Sequence, residues 1–399
     1  MMRGAWNRRL LGGAVLALVT ACGQPRVREE VPRAEFLLSA GDSTYWVRTG
    51  ANGLSVRSSP LLLTHDGARF HEIYVSDEDR VWPDAVFIAQ RLWRRDLVTG
   101  DSIELARDST VMALAARYAA RHRDVAPLEP DEPLPEEPSI NAGSEFEVID
   151  VHGPFVSWLR HIDVESADAR EHRHEVLWRV SDIRDGRVAS VGDLFGAGVG
   201  DSLVARAHRS FRLTRDSLAH AAATRGVAAQ RALAALTFDS LGFSLADQNG
   251  APRVLPMSAT HDSAGRPVTL ALPALDVAPS PTWWTTARAL LPRVSRDSAE
   301  LRWERPGYEI VARFDASRDR LRLALRSRAR NAPELVIGSV PGPAWSMIPL
   351  EGSAVDSASR TALARAFHES QEYGDGTQQI AARPGGATLL QPVARATRR

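Results

Sequence analysis

Cysteine occurs once in 399 residues, at position 22, and lysine not at all: every one of the 49 basic residues is arginine. A chain with one thiol holds no internal disulfide. Without lysine there is no P-loop amine to grip a phosphate. Acidic residues also number 49, so charge balances. No segment forms a basic domain or an interleaved stripe of aromatics and arginines, which excludes a nucleic-acid partner as the expectation. Beyond residue 22 no apolar run reaches the ~20 residues that cross a bilayer as a helix. There is no Gly-x-Ser-x-Gly nucleophile elbow and no helical histidine pair spaced for zinc beside a base. No cofactor is expected.

What is present begins with that cysteine. Arg3, Arg8 and Arg9 form a positive start, Leu10 to Val19 is apolar, and Leu18-Val19-Thr20-Ala21-Cys22 ends the stretch with small residues. The stretch is too short for a permanent span and fits an export signal. It looks like a bacterial lipoprotein signal, which makes Cys22 the expected lipidation site and commits the only thiol to anchoring. Several acyl chains hold a protein on a membrane where one binds reversibly. The expected address is the cell envelope, facing periplasm or exterior, with the membrane as partner through the lipid.

The rest is long enough for two domains with cores of their own. Strand patterns and helical patterns come in groups, which predicts an α+β fold: antiparallel sheets with grouped helices packed on them, in two domains. The expected divisions are a signal peptide (1–21), a tether (22–35), a small α+β domain (36–124), an acidic Pro-rich linker or loop (125–143), a main α+β domain (144–373, with a possible split near 278) and a flexible tail (374–399). Five prolines from Pro127 to Pro138 alternate with acidic residues, which prevents a regular helix or inner strand there. Val111, Leu114, Ala115 and Tyr118 share one face of a helix predicted over 109–122. Ser76 to Asp84 reads as a polar loop anchored by Trp82 and Pro83. Val188 to Val191 reads as a short strand, with Asp193-Leu194-Phe195 closing the pattern.

The chemistry-bearing clusters are short. Glu171-His172-Arg173-His174-Glu175 puts His172 and His174 on one face of a strand, where they and His161 could hold a borderline metal. A solvated strand explains the same residues, and no metal is the expectation. Glu72, Asp79 and Asp84 lie near Trp82 and are the candidates for paired-carboxylate hydrolysis, which needs a separation of ~5 to 9 Å. Trp82, Trp158 and Trp178 are candidate contact aromatics, each also fitting a core. Gly196, Gly198 and Gly200 spell Gly-x-Gly-x-Gly before a helix. Flanking Asp193 and Asp201 oppose an anion there, and a loop leading into a helix capped by Asp201 is the better reading.

The stretch from about Glu145 to Leu275 resembles a family of bacterial extracytoplasmic domains of unknown function. They occur in lipoproteins and in the outer, lysozyme-sensing part of one class of anti-sigma factor. The resemblance lies in Phe155-Val156-Ser157, His172-Arg173-His174, Val176 to Val180, Asp185-Gly186-Arg187 and Val191-Gly192-Asp193-Leu194-Phe195. It continues in Leu241-Gly242-Phe243-Ser244-Leu245 and Val268 to Leu275. The family usually has Thr-Gly-Lys before its Asp-Leu-Phe element, where this chain has Arg184-Asp185-Gly186-Arg187. The resemblance implies a non-catalytic module that binds wall components or a protein. The function expected is thus a lipid-anchored envelope protein with a binding or structural role, its partner an envelope protein or cell-wall glycan. The alternative is an envelope hydrolase acting on glycan or peptide.

Overall fold

A computed structural model of the chain describes residues 35–40, 43–50, 53–129, 131–166, 173–222, 236–248, 250–261, 267–291, 293–295, 301–305, 308–315, 320–327, 334–337, 344–350, 355–372, 380–382 and 389–390. The signal, Cys22, the rest of the expected tether up to residue 34, and His172 lie outside the described residues, whereas Glu35, the tether's expected last residue, opens a strand. The fold is α+β, built on antiparallel sheets with helices packed against them.

The first half of the chain opens with β1 (Glu35–Ala40), β2 (Ser43–Gly50), β3 (Gly53–Ser59), β4 (Leu62–His65), β5 (Phe70–Trp82), β6 (Ala85–Asp96) and β7 (Ser102–Arg107). Helix α1 (Thr110–Arg121) leads to β8 (Ile140–His152), β9 (Phe155–Ser166) and β10 (Arg173–Asp182). Then come α2 (Val191–Phe195) and α3 (Ala197–Ala222). A seven-stranded sheet has the order β10-β9-β8-β6-β5-β4, with β7 also on β6. Strand β6 pairs parallel with β8 between Ala85↔Ile140 and Ala89↔Ser144, and α1 makes the crossover.

That pairing runs through the domain boundary expected at 125–143. The acidic Pro-rich tract is a loop within one sheet's circuit: Leu128 N–H donates to Val81 O at 2.8 Å, and Ser139 N–H to Asp84 O at 2.7 Å. Proline removes donors and fixes φ, so the proline-bearing part skirts the sheet, whereas Ile140 to Gly143, the end of the expected tract, already pair with β6 as part of β8. The polar loop expected over 76–84 is also different: β5 stays extended to Trp82, and its ladder with β6 is unbroken from His71↔Asp96 to Trp82↔Ala85.

Helix α1 buries the face its spacing predicts. Val111, Ala115 and Tyr118 are buried against Trp82, Phe87 and Ile162, with Leu114 beside them. Its first turn is held by Asp108, whose carboxylate accepts from Val111 N–H at 2.7 Å. The strand end expected at Asp193-Leu194-Phe195 is instead the five-residue helix α2. Ser190 and Asp193 form a reciprocal capping box there. Asp201 lies inside α3 and does not cap it.

The later chain supplies β11 (Phe243–Gln248), β12 (Ala251–His261), β13 (Pro267–Ala271) and β14 (Leu275–Asp276), which form a four-stranded sheet. This sheet shares a core with α2 and α3 through Val191, Leu194, Leu203, Phe243, Val254 and Leu275. Helix α4 (Thr282–Leu290) follows, then β15 (Arg293–Ser295), β16 (Leu301–Arg305), β17 (Tyr308–Asp315), β18 (Arg320–Ser327), β19 (Glu334–Ile337), β20 (Ala344–Pro349), α5 (Ser357–Glu372), β21 (Ile380–Ala382) and β22 (Leu389–Leu390). Strands β16 to β19 and β22 form one sheet. Strands β15, β20, β1, β2, β3 and β21 form another, which brings the start of the described chain together with strands from beyond residue 290. Helix α5 packs on this last sheet through Leu363, Ala366 and Phe367 against Leu37, Leu61 and Ile348. No described helix is long and apolar enough to cross a membrane.

Candidate functional site

Two of the three candidate carboxylates, Glu72 and Asp79, are close in sequence and far apart in space. Glu72 and Asp79 are seven residues apart on β5. At ~3.3 Å per residue that is roughly 23 Å, and an odd spacing puts them on opposite faces. Neither separation nor direction suits the two-carboxylate geometry of glycoside hydrolysis. Glu72 is buried and accepts from Arg95 at 2.8 and 2.5 Å. Burial pushes its carboxyl up, against the pull of Arg95. Asp84 occupies the β5–β6 turn, where it accepts from the Tyr118 hydroxyl and from Ser139. Tyr118 is pushed up to about 12, by burial first and then by its bond to Asp84. Asp79 is exposed.

The candidate contact aromatics are in the core. Trp82 packs edge-on to Phe87. Trp158 packs against Phe146 and donates to the Ser181 hydroxyl at 2.9 Å. Trp178 is buried on β10. His161 and His174 lie on paired strands, with His161 opposite Val176 and His174 opposite Asp163. His174 is joined to Asp163 by a hydrogen bond. Among the described residues no three His, Cys, Asp or Glu side chains gather as metal ligands would.

A second cluster of titratable groups, absent from the sequence reading, sits at the turn between β4 and β5. His71 Nε2 meets Asp66 at 2.8 Å, and Thr64 lies directly across from His71. The grouping superficially suits a nucleophile with a base and its orienting acid. Burial argues otherwise: Thr64 is 1% exposed and His71 2%, and the Thr64 hydroxyl donates to Gly153 O at 2.8 Å. The cluster ties chain segments together. Asp66 also accepts from Ala68 and Arg69 N–H. Burial raises the Asp66 carboxyl, but the His71 bond and these backbone bonds outweigh it and hold the carboxyl well below the usual range.

His65 in this cluster gives the fold a measurable acid sensitivity. Its Nδ1 accepts from Gly67 N–H at 3.0 Å, and its ring meets Phe70 at 4.5 Å. Burial lowers it from 6.5, with Asp66 opposing and His71 adding to the fall. The unfolded chain therefore takes up the proton first. Stability from neutral His65 is full above 6.5 and is lost as pH falls through the folded value. Melting temperature measured from pH 7.5 down to 5 is expected to fall less steeply for His65→Gln than for the native chain. Identical slopes would remove His65 as the cause.

One concave surface among the described residues lies elsewhere, between the sheet of β1 to β3 and helix α5. A groove of about 590 Å³ is lined by Trp46 and Arg57 from the sheet and by Arg365, Phe367, His368 and Glu369 from the helix. The register sets Trp46 directly opposite Arg57, so the two project from one face of the sheet. Trp46 is fixed from three directions. Its indole donates to Glu35 at 2.8 Å, its ring meets Phe367 at 5.2 Å nearly perpendicular, and the Arg48 guanidinium lies 5.6 Å from the ring centre. Arg365 is steadied by donating to Leu97 O at 2.8 Å, and it lies 3.9 Å from Glu369. Positions 365, 368 and 369 are exposed, whereas Phe367 is buried as the floor. The arrangement offers an aromatic wall, two guanidinium groups and an imidazole around one opening. Neither Trp46 nor the helix residues belong to a motif.

No protein-family model matches the chain. No curated protein matches it either. Among solved structures, the chain is similar to a member of the DUF3298 family from Bacteroides fragilis, with 10% identity and a TM-score of 0.30. The likeness covers 53% of this chain and 92% of that one. At that identity and score it transfers neither activity nor ligand.

Proposed function

We propose that the chain is a lipid-anchored protein of the bacterial cell envelope whose body binds a ligand without transforming it. The groove between Trp46, Arg57 and the α5 turn around Phe367 carries this reading. A concave site of this size with an aromatic wall and a few convergent polar groups is the usual form of a ligand site. The carboxylates that would serve hydrolysis are, by contrast, spread along β5 or tied to Arg95 and Tyr118. The address rests on the apolar stretch and small residues ahead of Cys22, which suit lipid attachment through that sulfur.

Two measurements test the two halves of the reading. Labelled fatty acid should enter the native chain and not Cys22→Ser, and the variant should leave the membrane fraction. Envelope extract passed over the immobilised chain should yield a component retained by the native groove and lost from a His368→Glu variant. That component should be recovered chemically unchanged. Its recovery as a cleaved product would favour an envelope hydrolase instead.

A further inference from the structure

We infer that a second copy of the chain docks on the outward face of α3 through its acidic, proline-rich tract. The contact is independent of the groove at Trp46 and uses none of its residues. Helix α3 turns Leu203, Ala207 and Phe211 into the core, which leaves Arg206, Arg209, Arg212 and Leu213 on the opposite side, all exposed. Among the described residues none of these three arginines has an ion pair. The helix's own acids do not answer them: Asp216 is taken by Arg215 at 3.1 Å, and Asp201 lies more than a turn before Arg206. The tract has the opposite character. From Asp124 to Ser139 the chain places six acids and no base. Glu129, Asp131, Glu132, Glu136 and Glu137 are exposed, and among the described residues none of them has an ion pair. A chain that is neutral overall thus carries two unanswered patches of opposite sign. Each patch also holds one of the two most exposed large apolar side chains among the described residues, Leu213 at 68% and Leu134 at 59%. One contact would cover both leucines and set arginines against carboxylates, which they match in planar, two-point hydrogen bonding. The tract needs little ordering, because its prolines limit the backbone and Leu128 N–H and Ser139 N–H tie its ends to Val81 O and Asp84 O. Both patches are present on every copy, so a two-fold axis can make the contact twice.

The test is sedimentation of the full-length chain in an excess of detergent micelles, from about 1 to about 200 µM, for the native protein and two charge-reversed variants. The native chain should pair, and should separate as salt is raised to about 0.5 M, which screens exposed charge. Arg209→Glu/Arg212→Glu and Glu136→Arg/Glu137→Arg should each weaken pairing at least about tenfold, because like charges then face each other. All four side chains are exposed, so both variants should melt as the native chain does. Mixing the two variants should restore pairing, since the reversed patches are complementary again, and a misfolded variant could not do this. A native chain that stays monomeric at about 200 µM and low salt would overturn the inference. So would pairing that neither reversal weakens, or variants that stay apart when mixed. Binding of the monomeric native chain to anionic phospholipid vesicles, lost in Arg209→Glu/Arg212→Glu, would replace the second copy with a membrane surface.

Discussion

Replacing Trp284 by alanine is expected to cost about 3 to 5 kcal/mol of stability, the range for deleting a large buried ring. The side chain is 1% exposed and among the largest fully buried ones. Its helix, α4, is short, so its own hydrogen bonds hold it weakly. Its place is set by what its two tryptophans touch. Trp284 donates to Gly250 O at 3.0 Å in the turn between β11 and β12, and it stacks on His152 at 4.5 Å. Trp283 donates to Leu194 O at 2.8 Å and meets Phe155 at 4.7 Å. Arg288 pairs with the buried Asp247 of β11. Gly153, at a φ of +56°, comes so close to α4 that an added Cβ would stand 2.8 Å from the Ala287 Cβ. One helix of nine residues thus joins the tips of two hairpins and the end of α2. Trp284→Ala opens a cavity and leaves Gly250 O without its donor. Trp284→Phe keeps most of the ring and loses only the donor, which should cost about 1 to 2 kcal/mol. Denaturant titrations of both variants measure the difference. An alanine variant within about 1 kcal/mol of native, below any buried-ring deletion, would show that α4 is held by other contacts.

That junction shows which parts of the fold were legible in sequence. Helix α1 was readable, because a 3.6-residue period is a local signal and Val111, Ala115 and Tyr118 carry it alone. The partners of the tryptophans were not readable, since Gly250, His152 and Leu194 lie 34, 132 and 89 residues away along the chain. The same limit hid the parallel pairing of β6 with β8. A proline-rich acidic tract has the composition of a spacer whether it separates two bodies or skirts a sheet. The carboxylates from Glu72 to Asp84 were dense in sequence, and an extended strand turned that density into distance. The groove was least legible of all: Trp46 and Phe367 are 321 residues apart, and neither belongs to a motif. At α2 a signal was present and misread. Ser190-x-x-Asp193 is a capping pattern, and the apolar residues around it resembled the end of a strand.

Just beyond that cap, Gly198→Ala and Gly200→Ala are expected to act in opposite directions, although both glycines belong to one Gly-x-Gly-x-Gly run and to one helix. Gly198 is exposed, and a Cβ there meets nothing within 4 Å. Alanine at that position restricts the unfolded chain and suits a helix, for a gain of up to about 1 kcal/mol. Gly200 is buried, and its added Cβ would stand 2.5 Å from Gly192 Cα and 2.6 Å from Gly192 N. Those are backbone atoms of α2, so no side-chain rotation relieves the clash. The helices α2 and α3 must move apart, which strains a core containing Val191, Leu194 and Leu203. The expected loss is about 1 to 3 kcal/mol or more, as for other overpacked sites. Missing side chains in a glycine run can admit a phosphate or admit another stretch of main chain. Here the neighbour at Gly200 is main chain, which gives the motif a structural cause. Thermal melts of the two variants decide the matter: a Gly200→Ala protein as stable as Gly198→Ala would mean that α2 does not sit against α3 at Gly192.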